Sequence, residues 1–121
     1  MIELESDGAR NLFIIRYHGH VTAEESARWA DPARAAIEKM RPGFGLLADL
    51  SHLTLMDVDC APYIEATMDF ANKNGVAAVV RVIPDPTRDI GLQIMSRFHY
   101  RHDVKIMTCA TVEEAMKILF D

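Results

Sequence analysis

The stretch Gly43-Phe44-Gly45-Leu46-Leu47-Ala48-Asp49 restricts this chain more than any other. From Phe44 to Ala48 it presents apolar groups to both faces of an extended backbone, so as a strand it must be covered on both sides. That is the position of a central strand in a mainly parallel sheet. Two acidic segments follow, Asp49-Leu50-Ser51 and Asp57-Val58-Asp59, both expected as turns. A helix then starts, with Pro62 inside its first turn. In parallel sheets, working residues collect where a strand's carboxyl end hands over to the next helix. The segment from Asp57 to Tyr63 is therefore the first place to look for function.

The rest of the chain supplies the covering layers. Ile2 and Leu4 alternate with polar residues, Asp7-Gly8 makes a turn, and Leu12 to Tyr17 is rich in apolar and β-branched residues. These predict an N-terminal antiparallel hairpin, with Gly19 ending the pair. Thr22-Ala23-Glu24-Glu25 is a capping box, in which the Thr22 hydroxyl takes a backbone N–H and Glu25 reaches back. Ala23, Ala27, Ala30 and Ile37 recur at helical spacing after it, and Asp31-Pro32 predicts a kink or break. Arg41-Pro42-Gly43 stops that helix.

The next helix runs from about Cys60 to Asn74, with Ile64, Thr67, Met68 and Ala71 on one face and Asn74-Gly75 as a left-handed stop. Val76 to Ile83 reads as a strand. Asp85-Pro86 caps a further helix carrying Ile90, Ile94 and Phe98. Val104 to Met107 is a short strand, and Thr111-Val112-Glu113-Glu114 is a second capping box, opening a last helix. The order β-β-α-β-α-β-α-β-α predicts one α/β domain over 1–121, with an N-terminal antiparallel hairpin, a mainly parallel sheet and four helices.

Composition removes several function classes. A net charge of −5 lacks the concentrated basic face that nucleic acid requires. No apolar run approaches the ~20 residues of a membrane span. The opening Met1-Ile2-Glu3-Leu4-Glu5 carries no secretory pattern, so the expected location is cytoplasmic. Cys60 and Cys109 fit no metal spacing and read as small buried hydrophobes. Met40, Met68, Met95 and Met116 read as core filler on helices.

Asp57 and Asp59 at a helix start are open to three readings. They are helix caps, an acidic patch facing a partner, or part of a catalytic or metal site, and for a metal only His52 stands near in sequence. His18 and His20 would share a strand face but have no acid or cysteine beside them to complete a site. Arg97 and His99-Tyr100-Arg101-His102 form a basic cluster at a helix end, suited to the helix dipole or to an acidic partner. No Ser-His-Asp or Cys-His set can be assembled, and Gly43-x-Gly45 precedes a strand rather than following one, so it is no phosphate loop. No cofactor, metal or enzymatic activity is expected. Trp29 and Tyr63 are expected near a surface, and Trp29 on an alanine-bearing helix leaves room for a homodimer contact.

The element order, with Asp49-Leu50-Ser51 and Met56-Asp57 ahead of a helix, resembles the STAS domains, whose best-known members are bacterial anti-sigma factor antagonists. The likeness spans nearly the whole chain and includes Val104-Lys105-Ile106 followed by Thr111-Val112-Glu113-Glu114-Ala115. In that family a strand ends in Asp-x-Ser, and an Asp-Ser-Ser/Thr-Gly motif later opens a helix. The serine after that aspartate is phosphorylated by a kinase that is also the anti-sigma factor. Here Asp57 matches the acid, Val58 stands at the phosphorylated serine, Asp59 at the second hydroxyl and Cys60 at the glycine. The resemblance thus implies a signalling domain that docks a protein partner, such as a regulatory kinase, through Asp57, Val58, Asp59, Cys60 and Tyr63, without the phosphorylation switch. The fold class also includes lipid-carrying domains, so the alternative is a small apolar ligand held between sheet and helices.

Overall fold

A computed structural model of the chain describes residues 1–85, 87, 100 and 103–120. Five strands form one sheet in the order β1-β2-β3-β4-β5. They are β1 (Ile2–Asp7), β2 (Leu12–Val21), β3 (Gly45–Met56), β4 (Ala78–Val82) and β5 (Lys105–Cys109). The first pair is antiparallel, with Ile2 opposite Tyr17 and Asp7 opposite Leu12; all later pairs are parallel. Three α-helices are described: α1 (Ala23–Glu38), α2 (Ala61–Lys73) and α3 (Val112–Phe120). A 3-10 turn over Val58–Cys60 precedes α2. This is the expected α/β architecture, with β3 in the middle of the sheet. The fourth expected helix, with Ile90, Ile94 and Phe98, lies outside the described residues, as does Met95. Among the described residues no helix is long and apolar enough to cross a membrane.

The alternation of a strand assigns the two faces. Phe13, Ile15, Leu46 and Val79 point to one side, where they meet Ala33 and Ile37 of α1 and Met68 and Ala71 of α2. Leu12, Ile14, Leu47 and Val80 point to the other, where Ala115 of α3 is buried among them. Both faces of β3 are covered, as its unbroken apolar run demands.

Several local readings are corrected. Asp49-Leu50-Ser51 is strand rather than turn, because β2 runs on to Val21 and β3 follows it to Met56. Gly19 therefore does not end β2. With φ +63 it takes the left-handed conformation open to glycine, beside one of two register shifts in the β2–β3 pairing. Since β4 ends at Val82 opposite Asp49, β2 and β3 continue past it as a two-stranded ribbon.

The helix α1 passes through Pro32 unbroken. Pro32 is exposed, and burial of Ala33 and Ile37 beyond it offsets the roughly 3 kcal/mol that an interior proline costs. The buried face of α1 is Ser26, Ala33 and Ile37, with Ala27 exposed, so the alanine repeat did not mark the core side. Trp29 is half-buried and packs against the core.

Both capping threonines perform as the boxes predict: Glu25 N–H donates to Thr22 Oγ1 and Glu114 N–H to Thr111 Oγ1, each at 3.2 Å. Glu25 does not reach back. Its carboxylate instead accepts the Ile2 N–H at 2.9 Å and holds the terminal amino group at 3.2 Å, tying β1 to α1. At the end of α2, Gly75 has φ +88, as the Asn-Gly stop predicts.

Candidate functional site

The carboxyl end of β3 delivers the chain into a tight, exposed corner. Asp57 N–H donates to the Val21 carbonyl at 3.0 Å, and Cys60 N–H donates back to the Asp57 carbonyl at 2.9 Å, closing the 3-10 turn. Beneath that turn Cys60 is fully buried, with its Sγ 3.6 Å from the same Val21 carbonyl. Cys60 is thus the floor of the loop and not a surface a partner can touch. Its reading as a small buried hydrophobe is the one the packing favours, and the same holds for Cys109.

Above the floor the turn presents Val58, 88% exposed. Leu55, just before, is 55% exposed, and Tyr63, in the first turn of α2, is 37% exposed. Three of the six exposed large apolar side chains among the described residues therefore fall within one nine-residue segment. A single exposed valine is ordinary, but a group of apolar side chains bordered by charge is the character of a contact surface.

Neither aspartate caps a helix with its side chain. Asp57 Oδ1 instead lies 2.7 Å from His20 Nε2, a contact between the end of β2 and the loop. Asp59 is exposed and makes no hydrogen bond or ion pair among the described residues, so its charge is presented to solvent. His20 was absent from the sequence reading of this site. It stands 37 residues from Asp57, and only the parallel pairing of Val21 with Met56 brings the two together.

His18 and His20 do not act as a pair. His18 stacks on His52, with ring centroids 5.7 Å apart and planes 9° from parallel, and lies 3.6 Å from Glu3, while His20 turns to Asp57. Among the described residues no group of three or more His, Cys, Asp and Glu could hold a metal ion. Of the basic cluster near residue 100, only Tyr100 is described, and it is buried rather than exposed. The remainder lies outside the described residues.

The contact at His20 leads to a first prediction. Both side chains are about half exposed, and exposed pairs of this kind contribute at most ~1 kcal/mol. In a double-mutant cycle of His20→Ala and Asp57→Ala, thermal unfolding should give a coupling below about 1 kcal/mol. A larger value would make the contact a structural clamp.

The Asp-x-Ser element has a local role. The buried Asp49 carboxylate accepts the Ser51 N–H at 3.0 Å and the Ser51 hydroxyl, so this hydroxyl is engaged within the strand. Between sheet and α2 lies a cavity of about 40 Å3, walled by Leu46, Leu50, Ile64 and Met68 with Tyr17 and Tyr100. That is room for a water or two, against the hundreds of Å3 of typical ligand sites.

No protein-family model matches the sequence, and no curated protein sequence matches it. Solved structures do. The anti-sigma factor antagonist SpoIIAA matches in its unphosphorylated form and, from Bacillus, in its phosphorylated form. Each is 19% identical with a TM-score of 0.69, over 98% of this chain and 97% and 99% of theirs. An uncharacterised DUF3478-family protein of SpoIIAA-like fold from Shewanella loihica PV-4 matches at 12% identity, over 98% of this chain and 92% of that one, with a TM-score of 0.71. An anti-sigma factor antagonist from Mycobacterium paratuberculosis matches at 16% identity over 100% and 94%, with a TM-score of 0.66. At these identities the likeness is one of fold.

Proposed function

We propose that this chain, which has the SpoIIAA-like STAS fold of the anti-sigma factor antagonists, is a non-enzymatic cytoplasmic docking domain that binds a regulatory protein partner through residues 55–63. The observation that carries the reading is Val58, 88% exposed at the tip of the 3-10 turn. It stands where the STAS resemblance puts the phosphorylated serine, and it has no hydroxyl to modify. Leu55 and Tyr63 extend the apolar contact, and Asp57 and Asp59 give it a negative rim that favours a basic partner surface. Cys60 supports the turn from below. The alternative of a bound apolar ligand has less support, since the enclosed space between sheet and α2 is small.

Asp59 offers one fixed charge, where phosphoserine carries about 1.5 to 2 and adds three acceptor oxygens. The loop's binding is therefore set by its constant shape and charge. The test is affinity capture from the native cell with the wild type, Val58→Asp, and the Asp57→Ala, Asp59→Ala double variant. A defined protein retained by the wild type and reduced at least about tenfold by Val58→Asp is the expected result, a central apolar contact being worth over 1 kcal/mol. Capture unaffected by either variant would refute the loop. Mass spectrometry of the peptide spanning Ser51 to Tyr63 should show no stoichiometric phosphate. A phosphate on Ser51 or Thr54 that changed capture would refute phosphorylation-independent binding.

A further inference from the structure

The stop of α2 joins two residues whose chemistry conflicts with their structural work. Gly75 has φ +88, and a Cβ added to it would lie 3.2 Å from Cα and Cβ of Pro42, so a side chain there is both strained and crowded. The Gly75 carbonyl accepts the Gly43 N–H at 2.7 Å, which holds the chain entering β3 against the end of α2. The fold therefore places glycine directly after Asn74. An Asn-Gly pair is the one most prone to close on itself, because glycine has no side chain to shield its nitrogen from the asparagine amide carbon. Of the chain's three asparagines, Asn11 precedes Leu12, Asn72 precedes Lys73, and only Asn74 precedes glycine.

The folded C-cap holds the reacting groups apart. The Asn74 side-chain amide donates to the Phe70 carbonyl at 2.8 Å, anchoring the nitrogen that would leave. The Gly75 N–H, whose nitrogen would attack, donates to the Asn72 carbonyl at 3.2 Å. Ring closure needs Asn74 Cβ and the Gly75 nitrogen on the same side of the Cα–C bond. Asn74 has ψ +7, which eclipses the Gly75 nitrogen with the Asn74 nitrogen instead.

We propose that Asn74 is a latent deamidation site, closed in the folded chain and released whenever the end of α2 opens. In the open state hydroxide removes the Gly75 amide proton, and the nitrogen attacks Asn74 Cγ. The C–N bond of the side-chain amide breaks, and its nitrogen leaves as ammonia with a proton taken from water. Water then opens the resulting succinimide at either carbonyl. One product is aspartate, and the other is an isoaspartyl link that adds a methylene to the main chain. Both place a carboxylate at the C-terminus of α2, where the helix dipole opposes it, and both lose the donor to the Phe70 carbonyl. The isoaspartyl link also shifts Gly75 from its contacts with Pro42 and Gly43. Modification thus hinders reclosure of the cap and runs one way.

The test incubates the full chain at mildly alkaline pH, folded in buffer and unfolded in urea, and reads its peptides by mass spectrometry. The unfolded chain should gain the mass of an amide turned acid at Asn74 before Asn11 or Asn72. The folded chain should do so at least about tenfold more slowly, because local opening must come first. Asn74→Gln should abolish the early gain in urea, since its longer side chain must close a larger ring. Asn74→Asp, the aspartyl product, should melt on the order of 5 °C below the wild type. Equal rates in folded and unfolded chains, no gain at Asn74 in urea, or a first gain at Asn11 or Asn72 overturns the proposal. So does an Asn74→Asp variant as stable as the wild type, because the change would then leave the cap free to close again.

Discussion

Leu46→Asp is expected to remove most of the stability of this fold. Leu46 is 4% exposed at the centre of β3, opposite Phe13 on one side and Val79 on the other, and it faces the layer formed by α1 and α2. The substitution forfeits the burial of a leucine, about 2–3 kcal/mol, and adds a carboxyl with no partner in an apolar layer. Together the cost is roughly 4–6 kcal/mol, comparable to the whole stability of many domains of this size. Thermal unfolding should drop on the order of 20 °C or lose its cooperativity. Leu55→Asp is the control: its side chain is 55% exposed, and it should change stability by less than about 0.5 kcal/mol. An unchanged melting temperature for Leu46→Asp would remove β3 from the centre of the sheet.

The protein should also unfold in alkali more readily than at neutral pH, and two tyrosines supply the reason. Burial pushes the Tyr17 hydroxyl far above its ordinary value near 10, with a smaller contribution from Cys60. Burial does the same to Tyr100, reinforced by Tyr17 and opposed by Arg81. Below pH 10 both hydroxyls keep their protons in either state, and pH has no effect through them. Above pH 10 the unfolded chain releases these protons while the folded chain holds them, so stability falls as pH rises. The slope is about 1.4 kcal/mol per pH unit for each ring, or nearly 3 kcal/mol for both by pH 11. The Cys109 thiol, raised by burial and by Glu114, acts in the same direction from a lower pH. Urea midpoints measured from pH 8 to 11.5 should decline first through Cys109 and more steeply above pH 10, and Tyr17→Phe should remove about half of the part contributed by the two tyrosines. A flat profile would mean that both hydroxyls reach solvent.

What the sequence determined by itself rests on short-range physics. Thr22 and Thr111 cap helices because a hydroxyl three residues before an orphan N–H reaches it with no help from the rest of the fold. Asn74-Gly75 ends α2 because glycine accepts positive φ at little cost. The apolar run from Phe44 to Ala48 could be buried on two sides only at the centre of a sheet, and the α/β order followed from it. Asp57, Val58 and Tyr63 were placed at the end of β3 by the same local logic.

Tertiary structure decided the remainder, wherever a side chain's partner lies far along the chain. Capping was one of the readings open for Asp57, since sequence displays only neighbours, and parallel pairing gave its carboxylate His20 instead. Glu25 completed a capping motif on paper, yet the N-terminal strand passes within its reach and takes the carboxylate. Asp49-Leu50-Ser51 read as a turn, because the strand beyond Asp49 is held by β2 alone and its period is broken by register shifts. Cys60 matched a motif position whose residue could meet a partner, and packing under the turn made it core. Ser26 carried no signal in the sequence, because its hydroxyl goes without a partner among the described residues only once the layers around it close and water is excluded.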